Sequence, residues 1–210
     1  MSTGDGERKC KLGVLLSGRG SNFQAIHQAI ESGQLGNAEI ALVISNKQQA
    51  PGLALAQSQG HTTVYLKPSA YPSKEEYDTA IVKALKGAEV DLVILAGYTR
   101  ILTPVLITAF SKRILNIHPS LLPAYGGKGM VGGAVHHAVL EAGETQSGCT
   151  VHIVTEAVDE GPILGQQTVA VMPKDTPDTL AQRVLEQEHV LYPNIIGRYI
   201  KEQITEQIPF

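Results

Sequence analysis

The strongest constraint on this chain is an alternation. Short apolar runs, each long enough for one strand, are followed by a turn and then by a segment with helical spacing. Leu12–Leu16 ends in Ser17-Gly18-Arg19-Gly20, after which Phe23, Ile26 and Ile30 share one helical face, with Asn22 as a candidate cap. Ile40–Ile44 reads as a second strand. Pro51–Gln59 reads as a helix with proline near its start and Gly60 past its end. Thr62–Leu66 is a third strand, and Ser73 with Glu76 forms a capping-box pattern ahead of Tyr77, Ile81 and Leu85. Leu92–Leu95 and Ile114–Ile117 make a fourth and a fifth. Strands separated by helices run parallel through right-handed crossovers, and nearly continuous apolar strands need cover on both faces. The expected class is α/β: an open, mostly parallel twisted sheet with helices on both faces.

After Pro119 the pattern changes. Residues 120–133 hold five glycines and read as a long loop, a candidate lid, with Lys128 in Gly126-Gly-Lys-Gly129. That segment lacks the leading glycine and the trailing Ser/Thr of a P-loop. A short helix is expected near Ala134–Glu141. Thr150–Val154 and Ile163–Val171, joined by Asp159-Glu-Gly-Pro162, are expected to pair antiparallel. A last helix runs from about Thr179 to Tyr199. No linker divides the chain, so residues 1–210 are expected to form a single domain, with 1–10 a flexible leader and 201–210 a tail.

Composition narrows the partners. Hydrophobic residues make up 43% and charged residues 18%, which suits a globular core. A net charge of -3, no Trp and only ten aromatics argue against nucleic acid or a membrane surface as the main partner. Cys10, placed in the polar leader, and Cys149 read as free thiols of a reducing compartment. The polar N-terminus has no apolar signal region, and apolar runs are strand-sized, so a cytoplasmic protein is expected. No cysteine/histidine set has metal-ligand spacing, and His27, His61, His136, His137 and His189 form none.

Two segments carry candidate chemistry. In Ser17-Gly-Arg-Gly-Ser-Asn22 the glycines let a ligand approach the backbone, and the N–H groups of a helix start attract an anion. A dinucleotide site is disfavoured, because Phe23 replaces the third glycine and no acid ends the second strand. A monophosphate site is preferred over a plain capped turn. In Asn116-Ile-His118-Pro-Ser-Leu-Leu-Pro123, Asn116 and His118 project from the same strand face at its carboxyl end. A neutral amide donor beside a histidine suits a developing oxyanion. Asp159, in a turn, either bonds its own backbone or holds His118 in its charged form. His152 reads as an inward histidine or as a catalytic one. Glu188 shares the apolar stripe of the last helix, so this edge either faces water or meets polar ligand groups.

Gly18-Arg-Gly-Ser-Asn22, Ile44-Ser-Asn-Lys47, Leu95-Ala-Gly-Tyr-Thr-Arg-Ile-Leu102, Asn116-Ile-His-Pro-Ser-Leu-Leu-Pro123, Gly148-Cys-Thr-Val-His152 and Val158-Asp-Glu-Gly-Pro162 occur in that order. Together they resemble the phosphoribosylglycinamide formyltransferase family, within the wider formyltetrahydrofolate-using superfamily, over roughly residues 11–197. The resemblance implies a Rossmann-like fold, purine biosynthesis, and 10-formyltetrahydrofolate as co-substrate with no metal. It implies Asn116, His118 and Asp159 as the catalytic trio. Gly20, Ser21, Asn22 and Glu188 fall on the ribonucleotide site. Thr99, Arg100, Ile101 and Leu102 fall on the folate segment, to which Asn116 also contributes. Lys74 falls where a basic residue can meet the folate glutamate tail. Leu185 stands where members often carry Lys or Gln near the phosphate, and Arg19 is the candidate to compensate.

The reaction implied is attack of the glycinamide ribonucleotide amine on the formyl carbon, with Asn116 and His118 stabilising the oxyanion. The nearest alternative is a formyltetrahydrofolate hydrolase, in which water replaces the amine. Formyl transferases acting on charged tRNA or nucleotide sugars carry an extra domain and lack the Gly-Ser-Asn turn. A non-catalytic binder of phosphorylated metabolites has no need of an oxyanion donor set. The expected partners are small molecules, and the assembly is a monomer or homodimer.

Overall fold

The computed structural model describes residues 8–204. Its strands are β1 (Cys10–Leu16), β2 (Ala38–Ser45), β3 (Thr63–Tyr65), β4 (Leu92–Leu95), β5 (Ile114–His118), β6 (Gln146–Ile153) and β7 (Ile163–Ala170). The helices are α1 (Ser21–Glu31), α2 (Pro51–Ser58), α3 (Lys74–Gly87), α4 (Pro104–Ala109), α5 (Gly133–Glu141) and α6 (Pro177–Tyr199). All seven strands form one sheet in the order β3-β2-β1-β4-β5-β6-β7. The first five run parallel, while β5–β6 and β6–β7 are antiparallel. The expected mostly parallel sheet with an antiparallel C-terminal pair is therefore found.

Strand pleating divides the core. Leu12, Val14 and Leu16 of β1 pack on one face, with Phe23 and Ile26 of α1, Val135 of α5 and Val184 of α6. Leu15 turns to the other, with Tyr77 and Ile81 of α3 and Leu106 of α4. Each such fully buried side chain contributes roughly 1.5–3 kcal/mol. Tyr192 of α6 donates its hydroxyl proton to the carbonyls of Leu115 at 2.8 Å and Leu95 at 3.1 Å, clamping α6 across β4 and β5.

Some details differ from the sequence reading. Cys10 is not in a leader: it is the first residue of β1, opposite Ala38, and is buried. Residues 1–7 and 205–210 of the expected leader and tail lie outside the described residues, and Ile200–Ile204 forms a π-helical turn. Asn22 does not cap α1. The N-cap is Gly20, without a side-chain cap, and Asn22 lies inside the helix. The order of strands reverses between β1 and β4, whose parallel carboxyl ends open onto a common crevice, the place where open α/β sheets take ligands.

Candidate active site

One cavity of about 900 Å³ occupies that crevice. Its walls come from the turn after β1, the segment after β4, the end of β5, the glycine-rich loop, the end of β6 and one side of α6. Gly20 enters the first turn with φ +80°, and a Cβ there would lie 2.6 Å from the Gly52 Cα. Only glycine fits both the left-handed backbone and that approach. The turn delivers the N-terminus of α1 to the cavity, where the orphan N–H groups of a helix start and its dipole favour an anion. Ser21 lines the cavity, and its hydroxyl makes no hydrogen bond to the described residues. Arg19 and Lys128 line it as exposed cations.

Asn22 reaches the last helix. Its Nδ2 donates to Glu188 Oε2 at 2.7 Å, in a buried contact. Burial raises the Glu188 carboxyl to about 7, against the Asn22 hydrogen bond, which lowers it. Asn22 Oδ1 is buried without a partner. An unsatisfied buried acceptor beside a half-satisfied carboxylate is an unfinished polar site.

The segment after β4 is tied down at both ends. Thr99 N–H donates to Ser17 Oγ at 2.9 Å, and Ser17 Oγ donates to Asn46 Oδ1 at 2.6 Å. Asp78 accepts from Thr103 N–H at 2.6 Å and from its hydroxyl at 2.8 Å. Between these anchors, Arg100, Ile101 and Leu102 line the cavity, and Ile101 is exposed. Lys74 starts α3 and is exposed, but it does not line the cavity.

At the end of β5 the donors converge. His118 is buried; its Nε2 lies 2.8 Å from the Tyr125 carbonyl and its Nδ1 3.5 Å from Asp159 Oδ2. Both nitrogens thus face acceptors, and a ring with two hydrogens satisfies both. Asp159 does not bond its own backbone. It accepts Gly127 N–H at 2.9 Å from the glycine-rich loop, and its other oxygen lies 3.6 Å from His152 Nε2. Burial pushes the Asp159 carboxyl up, but His152, the Gly127 N–H and His118 together outweigh it, and the net shift is downward. Asn116 lines the cavity, with its Nδ2 3.1 Å from His152 Nε2.

The structure therefore brings Asn116, His118, Asp159, Gly20, Ser21, Asn22, Glu188 and Thr99–Leu102 to one cavity, and leaves Lys74 outside its lining. Sequence reasoning missed Ser17, the Tyr125 carbonyl and the Gly127 N–H, since backbone groups and a buried serine leave no residue-type signal. It also left His152 undecided. Such a site can bind an anion at one end, present at the other a backbone edge without backbone hydrogen bonds among the described residues, and offer hydrogen-bond donors between them. Among the described residues no group of three or more His, Cys, Asp or Glu side chains could hold a metal. No helix among them is long and apolar enough to cross a membrane.

Residues 10–196 match the family model described as formyl transferase. The chain is 45% identical over 198 residues to the chloroplastic phosphoribosylglycinamide formyltransferase of Arabidopsis thaliana, covering 94% of this chain and 68% of that protein. It is 40% identical over 195 residues to the trifunctional purine biosynthetic protein adenosine-3 of Drosophila melanogaster, spanning 92% of this chain but only 14% of that protein. The crystal structure of glycinamide ribonucleotide transformylase 1 from Symbiobacterium toebii superposes with a TM-score of 0.88 at 41% identity, covering 95% of this chain and 93% of that one. The matched span, residues 10–196, contains every residue that lines the cavity, and the chain belongs to the formyl transferase family.

Proposed function

We propose that this formyl transferase moves the formyl group of 10-formyltetrahydrofolate onto the amine of N1-(5-phosphoribosyl)glycinamide, a step of purine biosynthesis, in the cytoplasm. The observation that carries the reading is one cavity joining a phosphate-type turn at Gly20 to the Asn116–His118–Asp159 cluster. The relatives named above support it, since their names specify phosphoribosylglycinamide formyltransferase or purine biosynthesis.

The ribonucleotide phosphate sits on the α1 N-terminus, held by Gly20, Ser21 and Asn22, with Arg19 adding charge. Glu188 accepts from the glycinamide or ribose end through the oxygen that Asn22 leaves free. The unpaired backbone of Arg100–Leu102 takes the edge of the folate heterocycle. Lys74, outside the cavity lining, is left for the solvent-side glutamate tail.

The substrate amine attacks the formyl carbon, and the carbonyl oxygen gains negative charge. His118 and the Asn116 amide donate to that oxyanion, with Asp159 holding His118 charged. His118 Nε2 exchanges the Tyr125 carbonyl for the formyl oxygen as the co-substrate enters. The amine proton leaves through water toward Asp159, a proton reaches the folate nitrogen, and the carbon–nitrogen bond to folate breaks. A hydrolase would leave Gly20, Ser21 and Glu188 without work. Incubating the protein with 10-formyltetrahydrofolate, with and without the ribonucleotide, separates the two. Formyl-ribonucleotide appearing in step with loss of the donor is expected; formate released at the same rate without the ribonucleotide would refute the transferase reading. One domain acting as a monomer or homodimer suffices, since each site residue comes from a single chain.

A further inference from the structure

The mechanism above leaves one buried group in the cluster unused. His152 of β6 stands opposite Asn116 of β5 in the sheet register and is 2% exposed. Its Nδ1 lies 3.1 Å from the Ile153 carbonyl. A carbonyl only accepts, so Nδ1 carries a hydrogen. Its Nε2 lies 3.1 Å from the Asn116 amide nitrogen and 3.6 Å from Asp159 Oδ1. The state of Nε2 therefore decides which end of the Asn116 amide turns to the cavity.

With a bare Nε2, the ring accepts from Asn116 Nδ2. Asn116 then offers the cavity its oxygen, an acceptor where negative charge must develop. The Nε2 lone pair also faces the Asp159 carboxylate, like against like. With a hydrogen on Nε2 both conflicts disappear. The ring donates to the Asn116 oxygen, its charge is balanced by Asp159 Oδ1 at 3.6 Å, and the amide nitrogen turns to the cavity. Amide oxygen and nitrogen are nearly the same size, so the group turns over in place. The titratable groups facing this arrangement are Asp159, from the β6–β7 connection, and His118, also on β5. Buried His136 of α5 lies beyond His118; its own burial, and then His118, disfavour a charge on it. Asp159 sits between the two rings, one oxygen toward each.

We propose that His152 is a positioning residue: it holds both hydrogens, is balanced by Asp159, and turns the Asn116 amide so that its N–H faces the formyl oxygen. The inference rests on Asn116 being an oxyanion donor. It assigns Asp159 a second task beyond His118, as the shared counterion of two histidines.

A double-mutant cycle tests it. Formyl transfer is measured for the parent, Asn116→Ala, His152→Ala and the double variant. His152→Ala is expected to lower kcat about 10–100-fold, less than outright loss of a donor, with both KM values within about threefold. The double variant should match Asn116→Ala alone, because the proposed effect of His152 on formyl transfer runs through that amide. His152→Gln, which keeps a donor, should recover most of the lost activity, and His152→Leu should not. This second pair decides the matter even if the alanine variant is unstable. Multiplying losses in the double variant, equal activity of the Gln and Leu variants, or an unchanged kcat in His152→Ala would overturn the proposal. Full activity of Asn116→Ala alone would instead remove Asn116 from the mechanism, and the inference with it.

Discussion

Asn22 and Glu188, 166 residues apart in the chain, meet in a buried hydrogen bond of 2.7 Å from amide to carboxylate. The contact joins the first helix to the last and closes one end of the cavity. It also stores a pH dependence. Burial raises the Glu188 carboxyl from 4.5 to about 7. Between those values the unfolded chain gives up a proton that the native state retains. Native stability therefore falls as pH rises from about 4.5 to about 7, and the loss is complete above that window. Its full size is on the order of 3 kcal/mol. Glu188→Gln should flatten this dependence in the ligand-free protein. Thermal midpoints measured from pH 5 to 8 should diverge, the variant melting several degrees higher at pH 8. Parallel curves for the two proteins would count against the buried-acid account. The same variant should bind the ribonucleotide more weakly.

Gly20 should tolerate no side chain. Alanine there meets both the left-handed backbone and the Gly52 Cα at 2.6 Å. Gly20→Ala is expected to lose on the order of 2 kcal/mol or more of stability and most ribonucleotide affinity. Denaturant unfolding and a ligand titration check both. A variant with unchanged midpoint and affinity would show that the turn is not pinned.

The glycine-rich loop is tied to Asp159, which accepts the Gly127 N–H at 2.9 Å. A Cβ on Gly126 would lie 2.6 Å from Leu122 Cδ2 and 3.3 Å from the Asp159 Cβ. Gly126→Ala should push Asp159 off its partners and lower kcat on the order of 10–100-fold, with little change in ribonucleotide affinity. Asp159→Asn, which removes the counterion itself, should cost on the order of 10²-fold or more. Steady-state kinetics of the pair should rank them in that order.

Arg19 is exposed on the cavity wall, and Leu185 offers the phosphate no charge. Arg19→Ala should raise the ribonucleotide KM about fivefold at low salt and leave kcat in place. The effect should shrink at high ionic strength, where screening weakens exposed pairs. A salt-independent KM would place the phosphate elsewhere.

The strands were legible because their signal is local. Leu92–Leu95 stands as read, and the other strands shift by a few residues at their ends. α4 was missed because six residues are too few for a helical period, although Pro104 at its start was a usable cue. Cys10 was misplaced because its polar neighbours hide a strand that only pairing with Ala38 reveals. The site followed the same rule. Asn116 and His118 share a strand face, which alternation shows directly. Asn22 looked like a cap because its true partner lies on the last helix. Asp159 looked like an ordinary turn residue because the groups around it come from β5, β6 and the glycine-rich loop. His152 stayed undecided for the same reason: its neighbours on β6 say that it is buried, not what it touches across the sheet.

His118 carries the central claim. The decisive measurement is formyl transfer by His118→Ala alongside ribonucleotide binding by the same protein. The account predicts a kcat lower by at least about 10²–10³, with ribonucleotide affinity close to that of the parent, since Gly20, Ser21, Asn22 and Glu188 are untouched. Transfer at nearly the parent rate would contradict it.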